Sequence, residues 1–307
     1  MVSNISVIGG GLMGHGIALT FARAGYQVNV QEPSAETRDT LTSRMEQSLS
    51  ALGCESSEIA QALSNTSTHA ELSTALTKET DLVVEAAPEK LALKQQLFSQ
   101  VEALVSDTCL LTSNTSALPI SKIMENVSLQ ERALGTHWWN PPHFIPLVEV
   151  IRTPSTSDAA MDAVVAVLER SGKKPVRVEK DVPGFIGNRL QHALWREAIS
   201  IVEQGICDAE SVDTVVKESF GRRLAVLGPL ENADLVTTDL ALDIHKTLLS
   251  EIDSRPGPSP YLERLVQEKK SGMAAGEGFR QWTPESAQTV RDRLARHLVL
   301  LDTILER

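Results

Sequence analysis

The segment THWWNPPHFIPLVEVI, residues 136–151, sets His137 twelve residues ahead of Glu149, a glutamate inside the apolar run LVEVI. Histidine is the side chain whose unperturbed pKa suits proton transfer near neutrality. A carboxylate within an apolar strand is costly to bury without a partner, so Glu149 is expected to face a donor or a cation. His137 is the natural candidate. Paired this way, the glutamate orients the imidazole and raises its basicity, as the third member of a hydrolase triad does. Pro141 and Pro142 are expected to fix the intervening loop, and His143 reads as a loop or pocket-wall residue.

Near the start of the chain, Gly9, Gly11 and Gly14 form GxGxxG, with Leu12 and Met13 inside it, directly after the β-type run ISVIG. That spacing lets the chain turn tightly, brings backbone close to a pyrophosphate and points a helix N-terminus at its charge. Glu32 follows Gly14 by 18 residues, at the end of the second β-type run. A carboxylate there bonds the adenine ribose hydroxyls and repels a 2′-phosphate, which favours NAD over NADP. Hydride transfer from an alcohol carbon to nicotinamide needs a base for the hydroxyl proton, and His137 fits that need.

Further polar residues follow strand ends, where an open α/β sheet binds its ligand. Glu89 and Lys94 come after DLVVEAAP and read either as site residues or as solvated loop charges. Asn114 and Ser116, in SNTS, can donate to the cofactor or the reacting oxygen, or serve only the turn. Asn188 opens the first helix of the next segment and reads either as reaching back across a cleft or as serving its helix start.

The elements that must position these residues are legible as alternation. The β-type runs ISVIG, QVNVQE, DLVVEAA, CLLTSN, RALGTH, LVEVIR and PVRVEK alternate with helical stretches up to about residue 180. The pattern predicts a doubly wound, mostly parallel sheet with helices on both faces, over residues 1–184. After Asn188 the apolar spacing becomes helical, as in NRLQHALWREAISIVEQG, so residues 185–307 are expected to form an all-α domain. Its last helix is expected to begin with Thr283 as N-cap and Pro284 at the first helical position.

Composition narrows the partners. A chain of 307 residues at 42% apolar supports two domains. A net charge of −11 without a basic patch argues against nucleic acid or an anionic membrane surface. Cys54, Cys109 and Cys207 form no CxxC, so neither a metal site nor a disulfide framework is indicated. The N-terminus runs straight into ISVIGGG, and no apolar stretch approaches 18 residues. The expectation is a cytoplasmic protein, neither exported nor membrane-spanning.

The ordered motifs GGGLMG, DLVVEAAPE with Lys94, SNTSAL, H-x-x-NPP with LVEV, and KDVPGFIGNRL resemble, over nearly the full chain, the L-3-hydroxyacyl-CoA dehydrogenase family. The resemblance implies a Rossmann-type domain followed by a helical domain, His137 as general base, Glu149 as its partner, and Ser116 and Asn188 as donors around the substrate oxygen. It also implies Asn140 in the site, Glu32, Glu89, Lys94 and Asn114 as NAD contacts, and a homodimer.

HWWNPPHFIPLVEVI and FGRRLAVLGPLE look most like the branch acting on small acids without coenzyme A. That branch includes L-carnitine dehydrogenase, L-gulonate 3-dehydrogenase (lambda-crystallin) and 5-formyl-3-hydroxy-2-methylpyridine-4-carboxylate 5-dehydrogenase. Two physical points agree. The stretch 34–70, where acyl-CoA enzymes hold their thioester cofactor, carries five acids against two arginines. Arg223 matches a position where carnitine- and gulonate-type enzymes carry arginine, and it reads either as a clamp on a substrate carboxylate or as a solvated charge. The chain departs from the family in having Trp138-Trp139 where Phe-Phe or similar is usual, a bulkier pair expected to border the substrate, and in Arg280-Gln281 near the C-terminus. Short-chain acyl-CoA oxidation and a silent, crystallin-like NAD-binding protein are the alternatives. The related β-hydroxyacid dehydrogenases place a catalytic lysine four residues before an asparagine, and that position here is Gly184.

Overall fold

A computed structural model describes residues 2–305. Eight strands form one sheet in the order β3-β2-β1-β4-β5-β6-β7-β8. They are β1 (Asn4–Ile8), β2 (Gln27–Gln31), β3 (Thr66–His69), β4 (Leu82–Glu85), β5 (Leu110–Ser113), β6 (Ala133–Trp138), β7 (Leu147–Ile151) and β8 (Lys174–Val178). Neighbours run parallel except β6 and β7, which are antiparallel. The sheet is therefore the mostly parallel, doubly wound one expected. β1 has β2 on one side and β4 on the other, so the strand order reverses there and opens a crevice beyond the carboxyl ends.

Strand β3 was not expected. Its sequence TSTH has no apolar residue, and as an edge strand it is only half-buried or exposed, so it carries no hydrophobic alternation to read. The stretch 34–70 holds three helices and then this strand.

The helices of the sheet domain are α1 (Leu12–Arg23), α2 (Ala35–Asp39), α3 (Leu41–Ala51), α4 (Ser56–Ser64), α5 (Leu72–Ala75), α6 (Leu91–Leu104), α7 (Ile120–Ile123) and α8 (Asp158–Arg170). One apolar layer joins Val7, Val28, Val30 and Val148 of the strands to α1, α3, α4 and α8. The other joins Val83, Leu111 and Ile151 to Phe98 and Val101 of α6, Ile120 of α7 and Phe185. Each such side chain fully buried contributes about 1.5–3 kcal/mol, which is what holds the strand ends, and the polar residues just beyond them, in fixed register.

Beyond β8 the regular elements among the described residues are helical: α9 (Gly187–Glu203), α10 (Ala209–Glu218), α11 (Pro229–Leu235), α12 (Thr238–Leu248), α13 (Pro260–Gln267) and α14 (Pro284–Ile304). The first residue of α14 is Pro284, and Thr283 Oγ1 accepts from the Ser286 amide, as its sequence predicts. The chain divides into two compact units, one reaching Asn188 and including residues from Leu298 onward, the other Arg189–His297. No helix among the described residues is long and apolar enough to cross a membrane.

Candidate active site

Antiparallel pairing of β6 and β7 sets His137 directly opposite Glu149. Directly opposed side chains in such a ladder stand close enough to touch, and here Nδ1 of His137 lies 2.7 Å from Oε2 of Glu149. Both are buried, at 3% and 1% exposure. The other carboxylate oxygen, Oε1, accepts from the amides of Ile186 at 2.8 Å and Gly187 at 3.0 Å, where α9 begins. Burial pushes this carboxyl up, but the bonds from His137, Gly187 and Ile186 outweigh it and hold it below the usual glutamate range. An ionised carboxylate only accepts, so the shared proton sits on Nδ1 of His137, and in the neutral ring Nε2 carries the lone pair. Trp139 and Phe185 flank the imidazole, with ring centroids at 5.2 and 5.6 Å. Phe185 has φ of 48°, an uncommon left-handed backbone for a bulky residue, in the turn that brings its ring there.

From this dyad the contacts run on within the same unit. Asn188, next to Gly187, donates from Nδ2 to the Ser116 carbonyl at 2.8 Å. The Ser116 amide donates to Glu89 Oε1 at 3.1 Å, and that oxygen also accepts from Thr115 Oγ1 at 2.5 Å and the Ala117 amide at 3.3 Å. Burial raises the Glu89 carboxyl, but the Thr115 bond, the Lys94 charge and the two amides together hold it below its ordinary value. Asn114 turns its Oδ1 to the Trp138 amide at 2.9 Å, tying the end of β5 to the end of β6. The Ser116 hydroxyl is exposed and meets no hydrogen-bond partner among the described residues.

Lys94 is 1% exposed, and its amine reaches Glu85 Oε1 at 2.7 Å, the Ala87 carbonyl at 3.1 Å and Glu89 Oε2 at 3.3 Å. Its three N–H groups are thus engaged by protein acceptors, and it holds the loops after β4 and β5 rather than standing open as a cofactor contact. Glu85, fully buried at the end of β4, also accepts from Ser113 Oγ at 2.6 Å and the Ala87 amide at 2.6 Å. Sequence reasoning missed it although DLVVEAA carries the signal that singled out Glu149, a carboxylate in an apolar strand.

At the glycine-rich turn, a Cβ on Gly14 would lie 1.7 Å from the Gly9 carbonyl oxygen, and Gly9 adopts φ of +97° with its own Cβ position 2.8 Å from the Ala86 carbonyl oxygen. Only glycine closes this turn. Gly11 is the N-cap of α1, has open space where a Cβ would be, and no side chain caps the helix amides behind it. Leu12 is 67% exposed and Met13 half-buried, both in the first turn. Glu32 accepts from the Gly10 amide at 2.8 Å and the Ser34 amide at 2.9 Å, which fixes its carboxylate beside the turn. An uncapped helix N-terminus, a turn without side chains and an oriented carboxylate at the end of β2 fit a dinucleotide with a free ribose diol. Arg44, which sequence gave no reason to single out, braces the turn from α3 by donating to the carbonyls of Gly10 at 2.7 Å and Gly11 at 3.3 Å.

Trp138, expected to border the substrate, is 2% exposed and packs in the core edge-on against Phe21, because neighbours in a strand point to opposite faces and His137 takes the other one. Trp139 is the tryptophan beside His137. Lys173 is buried and donates to the carbonyls of Pro142 at 2.6 Å and Ile145 at 3.0 Å, holding the loop between β6 and β7. Asn140 is exposed in that loop. His143, whose pKa is lowered to about 4 by burial and by the neighbouring His15 and Lys173, is neutral at pH 7. Arg223 is exposed in the second unit, just after a short 3₁₀ turn, Phe220–Arg222.

Comparison with known proteins agrees with this geometry. Residues 4–182 match the NAD binding domain of 3-hydroxyacyl-CoA dehydrogenase, and residues 184–282 match its C-terminal domain. The chain is 34% identical to 5-formyl-3-hydroxy-2-methylpyridine 4-carboxylate 5-dehydrogenase of Mesorhizobium japonicum, covering 100% of this chain and 99% of the relative. It is 35% identical to the mitochondrial hydroxyacyl-coenzyme A dehydrogenase of Homo sapiens over 91% of each. A crystal structure of a 5-formyl-3-hydroxy-2-methylpyridine 4-carboxylic acid 5-dehydrogenase, an NAD+-dependent dismutase, superposes with a TM-score of 0.91 over 100% of this chain and 99% of that one, at 34% identity.

Proposed function

The chain belongs to the 3-hydroxyacyl-CoA dehydrogenase family and is an NAD-dependent dehydrogenase acting on a CH–OH group, and we propose that its substrate is a small free 3-hydroxy, or similar alcohol, carboxylic acid rather than a coenzyme A thioester. The observation that carries this reading is the state of the cations in the stretch 34–70. Its only lysine or arginine residues are Arg38 and Arg44. Arg38 donates to the carbonyls of Glu32 and Pro33, and Arg44 to those of Gly10, Gly11 and Thr37. Both guanidinium groups are turned to backbone, and five acids remain around them, a poor seat for a ligand bearing several phosphates.

In the proposed reaction, NAD accepts the hydride that leaves the alcohol carbon. The rest is done by the chain. His137 Nε2 takes the hydroxyl proton as the C–O bond becomes a carbonyl, and the ionised Glu149 keeps the ring oriented and stabilises the imidazolium that forms. Glu149 is itself held by the amides that open α9, so the base cannot swing away from the reacting oxygen. Ser116, with an uncommitted hydroxyl, and Asn188 donate to that oxygen, and Asn140, in the loop between β6 and β7, is a further proposed substrate contact. Gly9, Gly11, Leu12, Met13 and Gly14 line the pyrophosphate turn, Glu32 takes the adenine ribose, and Glu89, Lys94 and Asn114 shape the loops at the nicotinamide side. Arg223 is the proposed clamp for the substrate carboxylate.

Exposed apolar side chains on the helical unit, among them Leu224, Leu230, Leu235, Leu240 and Leu242, support a homodimer. An acidic chain supports small-molecule partners rather than nucleic acid or an anionic membrane, and three free, scattered cysteines support a reducing, cytoplasmic compartment. A second reading, short-chain acyl-CoA oxidation, is supported by the identity to the human mitochondrial enzyme. The test is NADH consumption with acetoacetyl-CoA, in the reducing direction, beside NADH formation from NAD with carnitine, gulonate and hydroxymethyl- or formyl-pyridine carboxylates. Turnover of a free acid well above that of acetoacetyl-CoA is the expected result; strong turnover of acetoacetyl-CoA and none of the acids would sink it.

A further inference from the structure

Trp139 lies against Gly187 so closely that a Cβ there would come within 2.3 Å of Cζ2 and 3.2 Å of Cε2 and Cη2 of the indole. Side chains essentially never approach below 3.0 Å in this way, so nothing larger than hydrogen fits at position 187 while Trp139 keeps its place. The glycine is required for room, since its φ lies outside the left-handed region. Gly187 has a second task, because its amide donates to Glu149 Oε1 at 3.0 Å and Glu149 holds His137. The indole in turn stands 5.2 Å, centroid to centroid, from the His137 ring. Its Nε1 is buried and meets no acceptor among the described residues, an N–H that costs about 1–3 kcal/mol unless something else accepts from it.

We propose that Trp139 and Gly187 form a specificity-determining pair, in which the indole, seated on the bare Cα of Gly187, walls the space beside His137 and limits the substrate to short, compact acids. The indole atoms against Gly187 belong to the six-membered ring that a phenylalanine would not extend there. A smaller ring at 139 therefore opens the wall, and a larger residue at 187 drives the indole toward His137. The pair rests on the reading of His137 as the base, and it gives that site its substrate size limit.

The experiment is a double-mutant cycle of Trp139→Phe and Gly187→Ala, measured as kcat and KM along a series of 3-hydroxy acids of increasing chain length with 3-hydroxybutyryl-CoA at its far end. A single methylene against a pocket wall is worth about 10–200-fold. Gly187→Ala alone is expected to lose at least about tenfold in kcat/KM on the best short substrate. Trp139→Phe is expected to move the preference toward longer substrates by about tenfold, and the double variant to regain most of what Gly187→Ala lost, because the smaller ring leaves room for the methyl. NADH affinity, read by fluorescence, is expected to stay within about twofold in all three. Independent, multiplying effects in the cycle, or an unchanged chain-length preference in Trp139→Phe, would overturn the proposal. If Gly187→Ala does not fold, Trp139→Phe and Trp139→Tyr carry the test through chain-length preference alone. If the native protein turns over 3-hydroxybutyryl-CoA and no free acid, the substrate reading fails, while the coupling of residues 139 and 187 is still read on 3-hydroxybutyryl-CoA.

Discussion

Nζ of Lys94 stands 2.7 Å from Oε1 of Glu85, with the two side chains 1% and 0% exposed. A buried ion pair of this kind adds little net stability compared with an apolar pair, but removing one partner strands the other charge. Lys94→Met, which leaves Glu85 charged and buried, is expected to lose about 3–5 kcal/mol in urea denaturation. Glu85→Gln/Lys94→Met leaves no buried charge at either position, keeps one oxygen to accept from the Ala87 amide and turns an NH2 to the Ser113 hydroxyl, which can accept, so it is expected to lose distinctly less than the single lysine variant. A double variant as unstable as, or less stable than, Lys94→Met would contradict this.

Glu32 is fixed by the Gly10 and Ser34 amides, and its charge is the lever against a 2′-phosphate. Glu32→Ala is expected to lower kcat/KM for NAD by about 10–100-fold, the worth of hydrogen bonds to a charged group, while kcat/KM for NADP stays level or rises. The measurement is the ratio of the two specificity constants. A ratio unchanged from the native protein would remove Glu32 from cofactor choice.

His143 titrates near 4 instead of 6.5 because it is buried and faces His15 and Lys173. The unfolded chain therefore binds a proton on this ring between pH 6.5 and 4 that the folded protein refuses. Stability from this group is complete above about pH 6.5 and falls on acidification, by at most about 1.4 kcal/mol per pH unit, levelling below about pH 4. His143→Gln, which cannot take the proton, is expected to show a shallower loss over that window in denaturant titrations. Part of the slope stays with His15, whose pKa is also lowered by burial. Equal slopes in the two proteins would contradict the assignment.

Much of this site is legible in the sequence. The spacing of Gly9, Gly11 and Gly14, and the carboxylate in LVEV opposite a histidine in RALGTH, each carry a physical reason that survives folding. Glu85 was equally legible and was passed over, since DLVVEAA breaks an apolar strand with a carboxylate just as LVEV does. Strand parity also decides between the tryptophans: residue 138 must face away from residue 137, and only Trp139, beyond the strand, is free to turn back. Other features have no local signal. The antiparallel turn of β7 that sets Glu149 opposite His137, the hold of Lys173 on the loop carbonyls, the brace of Arg44 on the glycine turn and the fit of Trp139 on Gly187 depend on residues distant in sequence meeting in space. The edge strand β3 lacks the apolar residues that would have announced it.

In the proposed reaction His137, aligned by Glu149, removes the hydroxyl proton. The most direct test is steady-state NADH formation by His137→Gln at saturating NAD, on whichever substrate the native protein prefers, beside NADH affinity by fluorescence titration. The expected result is a fall in kcat of about 10²–10⁴-fold with the dissociation constant for NADH within about twofold of the native value. A kcat within a few-fold of the native protein would contradict the claim.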